Sequence, residues 1–252
     1  MAAVAQFPRL AQEFRAARRD PGVAVLEGFH AVKHALRFGA TLHTLVGTNP
    51  AELEELAAVL APDLRGRFAA QLQLISPELY SVLAPKAPRT GVMGIAERPK
   101  VDLGRLFAEP APRPIVLLEN PRNLHNMGAC VRVAAAGDAA GVLTTGTQDP
   151  WHADALRGAA GLHFALSVSR VDVTSLRDRP LIAIDPEGQP VSPARIPARA
   201  ILAFGTERYG VSEDLLTRAD HRVAIPMRPG VSSLNLATSV AAILFAWRLN
   251  AL

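Results

Sequence analysis

The sequence predicts an α/β protein made of two units, the second with a mainly parallel sheet covered by helices on both faces. The first observation is that strand candidates at 115–118, 141–144, 164–168, 181–184, 200–204 and 222–225, mostly short apolar runs, alternate with helical stretches at 127–136, 152–158, 212–218 and 235–249. Strands buried on both faces read this way. The second is a separate alternation of strands and helices over about the first 100 residues. The third is the break between them. Arg98 to Pro114, RPKVDLGRLFAEPAPRP, holds four prolines and no sustained period, which reads as an inter-domain linker. The expected organisation is therefore 1–106 as a front domain, 107–113 as the linker and 114–252 as the second domain.

Residues 8–19 open the chain as a basic amphipathic stretch with Arg9, Arg15, Arg18 and Arg19, suited to a solvated helix face or to RNA contact. Val23 to Leu26 is a strand, and Glu27 to Phe38 a helix closed by Gly39. Leu42 to Val46 is the next strand. Ala51 to Leu60 is a helix whose Glu52, Glu54 and Glu55 suit its positive end. Leu72 to Ile75 is strand-like, Ser76 caps a short helix, and Thr90 to Ala96 closes the unit as a strand.

The second unit is organised around Ile115 to Gly141. A buried-strand run, Ile115 to Leu118, breaks at Glu119, Asn120, Pro121 and Asn123. Asn126 then reads as the N-cap of a helix from Met127 to Ala136 that is apolar on nearly every face except at Arg132. A helix of that composition is expected to be buried, so the guanidinium must find an anion, line a cavity, or tie down a neighbouring loop. At about 100° per residue, Arg132 lies roughly 240° round from Asn126. The two share a site only if Asn126 stays on the loop and Arg132 reaches back past the helix start.

Composition narrows the partners. Of 27 basic residues, only Lys33, Lys86 and Lys100 are lysine; the arginine excess and net charge of +4 favour a polyanion weakly. Cys130 is the only cysteine, which excludes an internal disulfide or a multi-Cys zinc site and fits a reducing cytoplasm. On its apolar helix it reads as a core filler. The first residues, MAAVAQFPRL, lack the pattern of a signal peptide, and the longest apolar stretch, Leu234 to Trp247, is too short to span a bilayer. His152 and Asp154 have no further spaced ligands, so no metal is expected.

The dinucleotide fingerprint, the P-loop and the nucleophile elbow are all missing. Two other strand–loop elements attract attention. Ala200 to Phe204 ends in Gly205-Thr206-Glu207-Arg208-Tyr209-Gly210, a loop for close approach at the edge where α/β sheets bind ligands. Val223 to Ile225 ends in Pro226-Met227-Arg228-Pro229-Gly230-Val231-Ser232-Ser233-Leu234-Asn235, which starts the last helix.

On these residues the second unit resembles the SpoU (TrmH-like) branch of the SPOUT RNA methyltransferases. Asn126 to Arg132 is similar to the motif N-x-G-x-x-x-R, Phe204 to Ser212 to G-x-E-x-x-G-[LVI]-S, and Ile225 to Met227 with Ser233 to Leu236 to I-P-M and S-L-N-[VL]. Arg157 to Gly161 is similar to a looser signature. The loop Pro121 to Asn126 is longer than the common D-P-x-N, so Asn123 and Asn126 both stand for the amide of the first motif.

The resemblance implies a C-terminal SPOUT domain with a deep trefoil knot, S-adenosylmethionine as cofactor, ribose 2′-hydroxyls of RNA as substrate, and a homodimer. The front residues resemble a small ribosomal-protein-like α/β domain, with Gly28 and Val32 the plainest matches, which favours rRNA over tRNA. Carried over residue by residue, it makes Arg132, Asn126, Glu207, Ser233 and Asn235 catalytic. Phe204, Gly205, Glu207, Ile225, Met227, Ser233 and Leu234 would hold the cofactor. Family accounts make the arginine a base; because a guanidinium stays protonated, stabilising an alkoxide and gripping phosphate is the role expected here. A non-catalytic RNA-binding or ribosome-assembly protein is the rival, and intact site residues argue against it.

Overall fold

A computed structural model describes residues 2–192, 196–206 and 209–251, with side chains between 8 and 250 of those ranges. The chain forms two compact units, Met1–Pro99 with Trp151–Ala165, and Lys100–Pro150 with Leu166–Leu252.

The first unit runs α1 (Ala2–Ala17), β1 (Val23–Glu27), α2 (Phe29–Arg37), β2 (Leu42–Gly47), α3 (Pro50–Leu60), α4 (Arg65–Gln71), β3 (Gln73–Leu74), α5 (Pro77–Ser81) and β4 (Val92–Glu97). Its sheet has the order β1-β4-β2-β3, with β4 antiparallel to both neighbours. Leu10 and Phe14 of α1 pack with Val25, Val46, Leu79, Tyr80, Met93 and Ile95 to fill one face. Helix α2 starts two residues later than expected. Glu27 still belongs to β1, and Gly28, at φ +95°, makes the turn that only glycine takes readily. Asn49 caps α3 by accepting from Ala51 and Glu52, and Ser76 caps α5.

The second unit begins with α6 (Leu103–Ala108), β5 (Ile115–Leu118), α7 (Leu124–Ala136) and β6 (Gly141–Thr144). The Pro-rich stretch is thus not a bare linker. Leu106 and Phe107 are core residues, and buried Arg179 donates to the carbonyls of Leu106, Phe107, Glu109 and Arg113. The first three are acceptors that the end of α6 leaves open. Burial pulls the Arg179 pKa down, yet a guanidinium so placed remains a cation.

The chain then re-enters the first unit. Helix α8 (Ala153–Gly158), expected in the second domain, packs on β1, and the turn Leu162–Phe164 after it packs on α2. The reason lies in Glu27, whose side chain is 1% exposed and forms ion pairs of 2.7 Å with both Arg18 and Arg157. A buried carboxylate needs such partners. Gly161 lies against Ala31, where a Cβ would come within 2.5 Å of the Ala31 carbonyl, and His34 Nδ1 is 2.7 Å from the Ala160 carbonyl.

Back in the second unit come β7 (Ser167–Arg170), β8 (Leu181–Pro190), β9 (Ile201–Phe204), α9 (Glu213–Arg218), β10 (His221–Ala224) and α10 (Leu236–Ala251). The six strands have the order β10-β8-β9-β5-β6-β7, and every pair is parallel. Ile115, Leu117, Leu143, Leu181 and Ile201 face α6 and α9. Val116, Leu118, Val142 and Leu202, alternating with these, point to the opposite face, and all four are fully buried. Helix α10 packs on α7 through Val240, Ile243, Leu244 and Trp247, approaching closely at Gly137, where a Cβ would meet Leu244 within 2.5 Å. No helix among the described residues is long and apolar enough to cross a membrane.

Candidate active site

Since all six strands run parallel, their C-terminal ends open along one edge of the sheet, the place where α/β proteins gather ligand-binding loops. A bow within β8 and the loops after β9 and β10 together line a cavity of about 440 Å³, within the range of small-molecule sites.

The β9 loop is fixed by glycine. Gly205 sits so close to the returning chain that a Cβ would lie 1.9 Å from the Gly210 carbonyl carbon. Thr206 and Gly210 exchange backbone hydrogen bonds of 2.9 and 3.0 Å, and Gly210 takes φ +69°. Ser212 then caps α9, while its N–H and hydroxyl both donate to Glu119, at 2.8 and 2.5 Å. Glu119 therefore fastens the β5 loop to the β9 loop.

The β8 side was not foreseen. Strand β8 was expected to end at Ile184, but it continues to Pro190 after an outward bow. Pairing with β10 jumps from Ala183↔Arg222 to Gln189↔Val223, so residues 184–188 leave the ladder. Gly188 permits this, since a Cβ there would come within 2.6 Å of the Arg222 backbone. Arg222 closes the bow by donating to Asp185 at 2.6 and 2.8 Å and to Glu187 at 2.9 Å. The Asp185 hydrogen bond, foremost, pushes the Arg222 pKa up. The available signal was Asp185-Pro186-Glu187-Gly188, a run of turn residues inside a strand pattern.

The β10 loop brings Ile225, Met227, Ser233 and Leu234 to the same cavity as Phe204 and Gly205. Six of the seven expected cofactor residues thus meet; the seventh, Glu207, lies outside the described residues. The backbone N–H groups of Met227 and Leu234 make no hydrogen bond among the described residues. Apolar side chains beside open amides, with Asp185 and Glu187 nearby, suit a flat heterocycle joined to polar and charged groups.

The first motif settles differently from expectation. Asn123, not Asn126, is the N-cap of α7, accepting from the N–H groups of His125 and Asn126 at 2.9 and 3.0 Å. Asn126 lies in the first turn, and its Oδ1 accepts from Asn235 Nδ2 at 3.2 Å. Asn235 in turn caps α10 by accepting from Ala237 N at 2.9 Å. The amide facing the third motif is therefore that of Asn126. Arg132, by contrast, is exposed and lines no part of the cavity. With Asn126 inside the helix, the two point to different sides. Helix α7 is buried only where the sheet and α10 cover it, and Arg132 lies on the uncovered flank.

The model of the SpoU rRNA Methylase family matches residues 113–245, more than half of the chain. The chain belongs to that family. Among relatives of this SpoU methylase, a 23S rRNA (uridine(2479)-2'-O)-methyltransferase of Streptomyces viridochromogenes is 27% identical over 246 residues, covering 90% of this chain and 83% of the relative. The 23S rRNA (guanosine(2553)-2'-O)-methyltransferase RlmP of Bacillus subtilis is 26% identical over 247 residues, covering 92% and 90%. The fold matches the crystal structure of the SpoU methyltransferase AviRb from Streptomyces viridochromogenes in complex with AdoMet, with a TM-score of 0.77, 22% identity, and coverage of 96% and 97%.

Proposed function

We propose that this SpoU methylase transfers a methyl group from S-adenosylmethionine to a ribose 2′-hydroxyl of structured rRNA. The observation that carries this is the Asn126–Asn235 contact, which joins the first motif to the third beside the cavity of the second and third. The cofactor would lie against Phe204, Gly205, Ile225, Met227, Ser233 and Leu234, with the open N–H groups of Met227 and Leu234 as donors. Bound there, it supplies an electrophilic methyl group on a sulfonium. The chain must then hold the attacking oxygen in line and favour its alkoxide.

In this reading Asn126 and Asn235 orient the nucleotide, Ser233 shapes the turn, and Glu207 belongs to the same set. Arg132 stabilises the developing alkoxide and grips the adjacent phosphate, with that phosphate or a water accepting the hydroxyl proton. Since Arg132 is exposed and does not line the β8–β9–β10 cavity, it meets the site across a symmetric homodimer. Exposed Thr238, Ala242, Phe245 and Leu249 form one stripe along α10, the neighbour of α7, and Leu249 is 71% exposed. The path from β10 across to α10 on α7 supports a trefoil knot. The first unit, Met1–Pro99 with Trp151–Ala165, would recognise the RNA. Mapping 2′-O-methyl sites in total RNA from cells with and without the gene tests this. One rRNA site should disappear; a lost tRNA site would move the substrate, and an unchanged map would refute the activity.

A further inference from the structure

The C-terminal edge of the sheet holds a second cleft that the reaction above does not use. It opens over the ends of β6 and β7, lined by Thr145, Gly146, Thr147, Arg170, Asp172 and neighbouring valines. The strand order places it on the half of the edge opposite the β8–β9–β10 cavity, with the β5 loop of the first motif between them. At about 4.8 Å per strand, the two sites are separated by roughly three strand spacings. Neighbouring nucleotides of one RNA strand can span that.

The walls have the chemistry of an anion site. Arg170 is exposed and uses one donor, Nη1, on the Thr147 carbonyl at 3.2 Å, so the rest of its fork has no partner among the described residues. The N–H groups of Gly146 and Thr147 likewise make no hydrogen bond among the described residues. Gly146 takes φ +80°, and a Cβ there would come within 2.2 Å of Asn120 Oδ1, so the turn is held against the β5 loop. Asn120 N donates to Thr145 Oγ1 at 2.9 Å, which binds the same two loops again. A guanidinium with successive open amides is a favourable setting for one phosphate group.

Asp172 is held ionised by hydrogen bonds from the Thr174 backbone and hydroxyl, with Arg218 the cation that acts on it. Arg170 therefore keeps its own charge for an anion, and one guanidinium suits the single charge of an internal phosphodiester.

We propose that the Arg170 cleft is a phosphodiester subsite for the RNA strand beside the methylated ribose. The proposal rests on the RNA methyltransferase reading above and adds where the flanking strand runs. The test uses the full chain, an unmodified 23S rRNA transcript, and the variants Arg170→Gln and Arg170→Glu. Arg170→Gln should weaken RNA binding about tenfold at low salt. It should also reduce the log–log salt slope by about 0.7–0.9, as loss of one phosphate contact predicts. Arg170→Glu should weaken it further, with S-adenosylhomocysteine affinity and melting temperature unchanged in both. An unchanged salt slope would overturn the proposal. So would weaker RNA binding accompanied by a lower melting temperature and poorer S-adenosylhomocysteine binding, because Arg170 would then only strap the Thr147 loop. A wild-type protein that neither binds S-adenosylhomocysteine nor methylates the transcript would instead sink the reading beneath it.

Discussion

Asn235 performs two separable tasks, and substitution can divide them. Its Oδ1 caps α10 through Ala237 N, and its Nδ2 reaches Asn126 Oδ1 at 3.2 Å. Asn235→Ser keeps a side-chain oxygen for the cap but is too short to reach Asn126 as well. Stability should stay within about 0.5 kcal/mol, because serine and asparagine cap about equally well. Asn235→Ala removes both contacts and should cost about 1 kcal/mol, seen as a fall of about 2–4 °C in melting temperature. The rate should not follow that order. The lost bond to Asn126 is worth about 1 kcal/mol, a fivefold loss in rate, rising towards 10²-fold if the nucleotide drifts by about 1 Å. Single-turnover methylation should therefore fall alike in Asn235→Ser and Asn235→Ala. Asn126→Ala should match them, and Asn126→Ala with Asn235→Ser should be no worse than either alone. A wild-type rate in Asn235→Ser, or effects that simply add, would refute the reasoning.

Arg132→Ala should reduce single-turnover rate by about 10²–10³ while cofactor affinity and melting temperature hold, because the exposed guanidinium makes no hydrogen bond or ion pair among the described residues. Arg132→Lys should recover little, which rate assays on the pair will show. Arg179→Met should leave the Leu106 carbonyl without its donor, Phe107 keeping only Arg199, and lower stability by about 3 kcal/mol, read from the urea midpoint. His34 is lowered from 6.5, chiefly by burial, so the folded protein holds the neutral ring while the unfolded chain binds the proton first. The contribution of His34 is thus complete above about 6.5 and is lost as pH falls below it; urea melts should show this loss, and His34→Gln should flatten it.

The sheet and its binding edge were legible because their signals are local. Unbroken runs such as Ile115–Leu118 and Ile201–Phe204 are too short for helices and suit strands buried on both faces, and the glycine or asparagine that follows marks where a loop starts. What escaped depends on partners far along the chain. Helix α6 is hidden in a Pro-rich stretch because the donor for its last carbonyls, Arg179, comes about 70 residues later. The bow in β8 was invisible since the ladder resumes only through pairing with β10. Asn123 and Asn126 are equally good caps by type, and only the backbone of Leu124, already helical, decides between them. For Arg132, periodicity reports how apolar α7 is but not which flank goes uncovered.

The return of Trp151–Ala165 to the first unit has a consequence for the order of synthesis. The chain crosses between units three times, after Pro99, Pro150 and Ala165. Residues up to Pro99 therefore emerge without Arg157, and Glu27 must wait with Arg18 as its one ion-pair partner. At 5–20 residues per second, that wait lasts roughly 3–12 s. During it, the half-made front unit has its Ala31 surface uncovered while α6, β5, α7 and β6 are being made. Neither unit can be finished before the other has begun, so they mature together rather than in sequence.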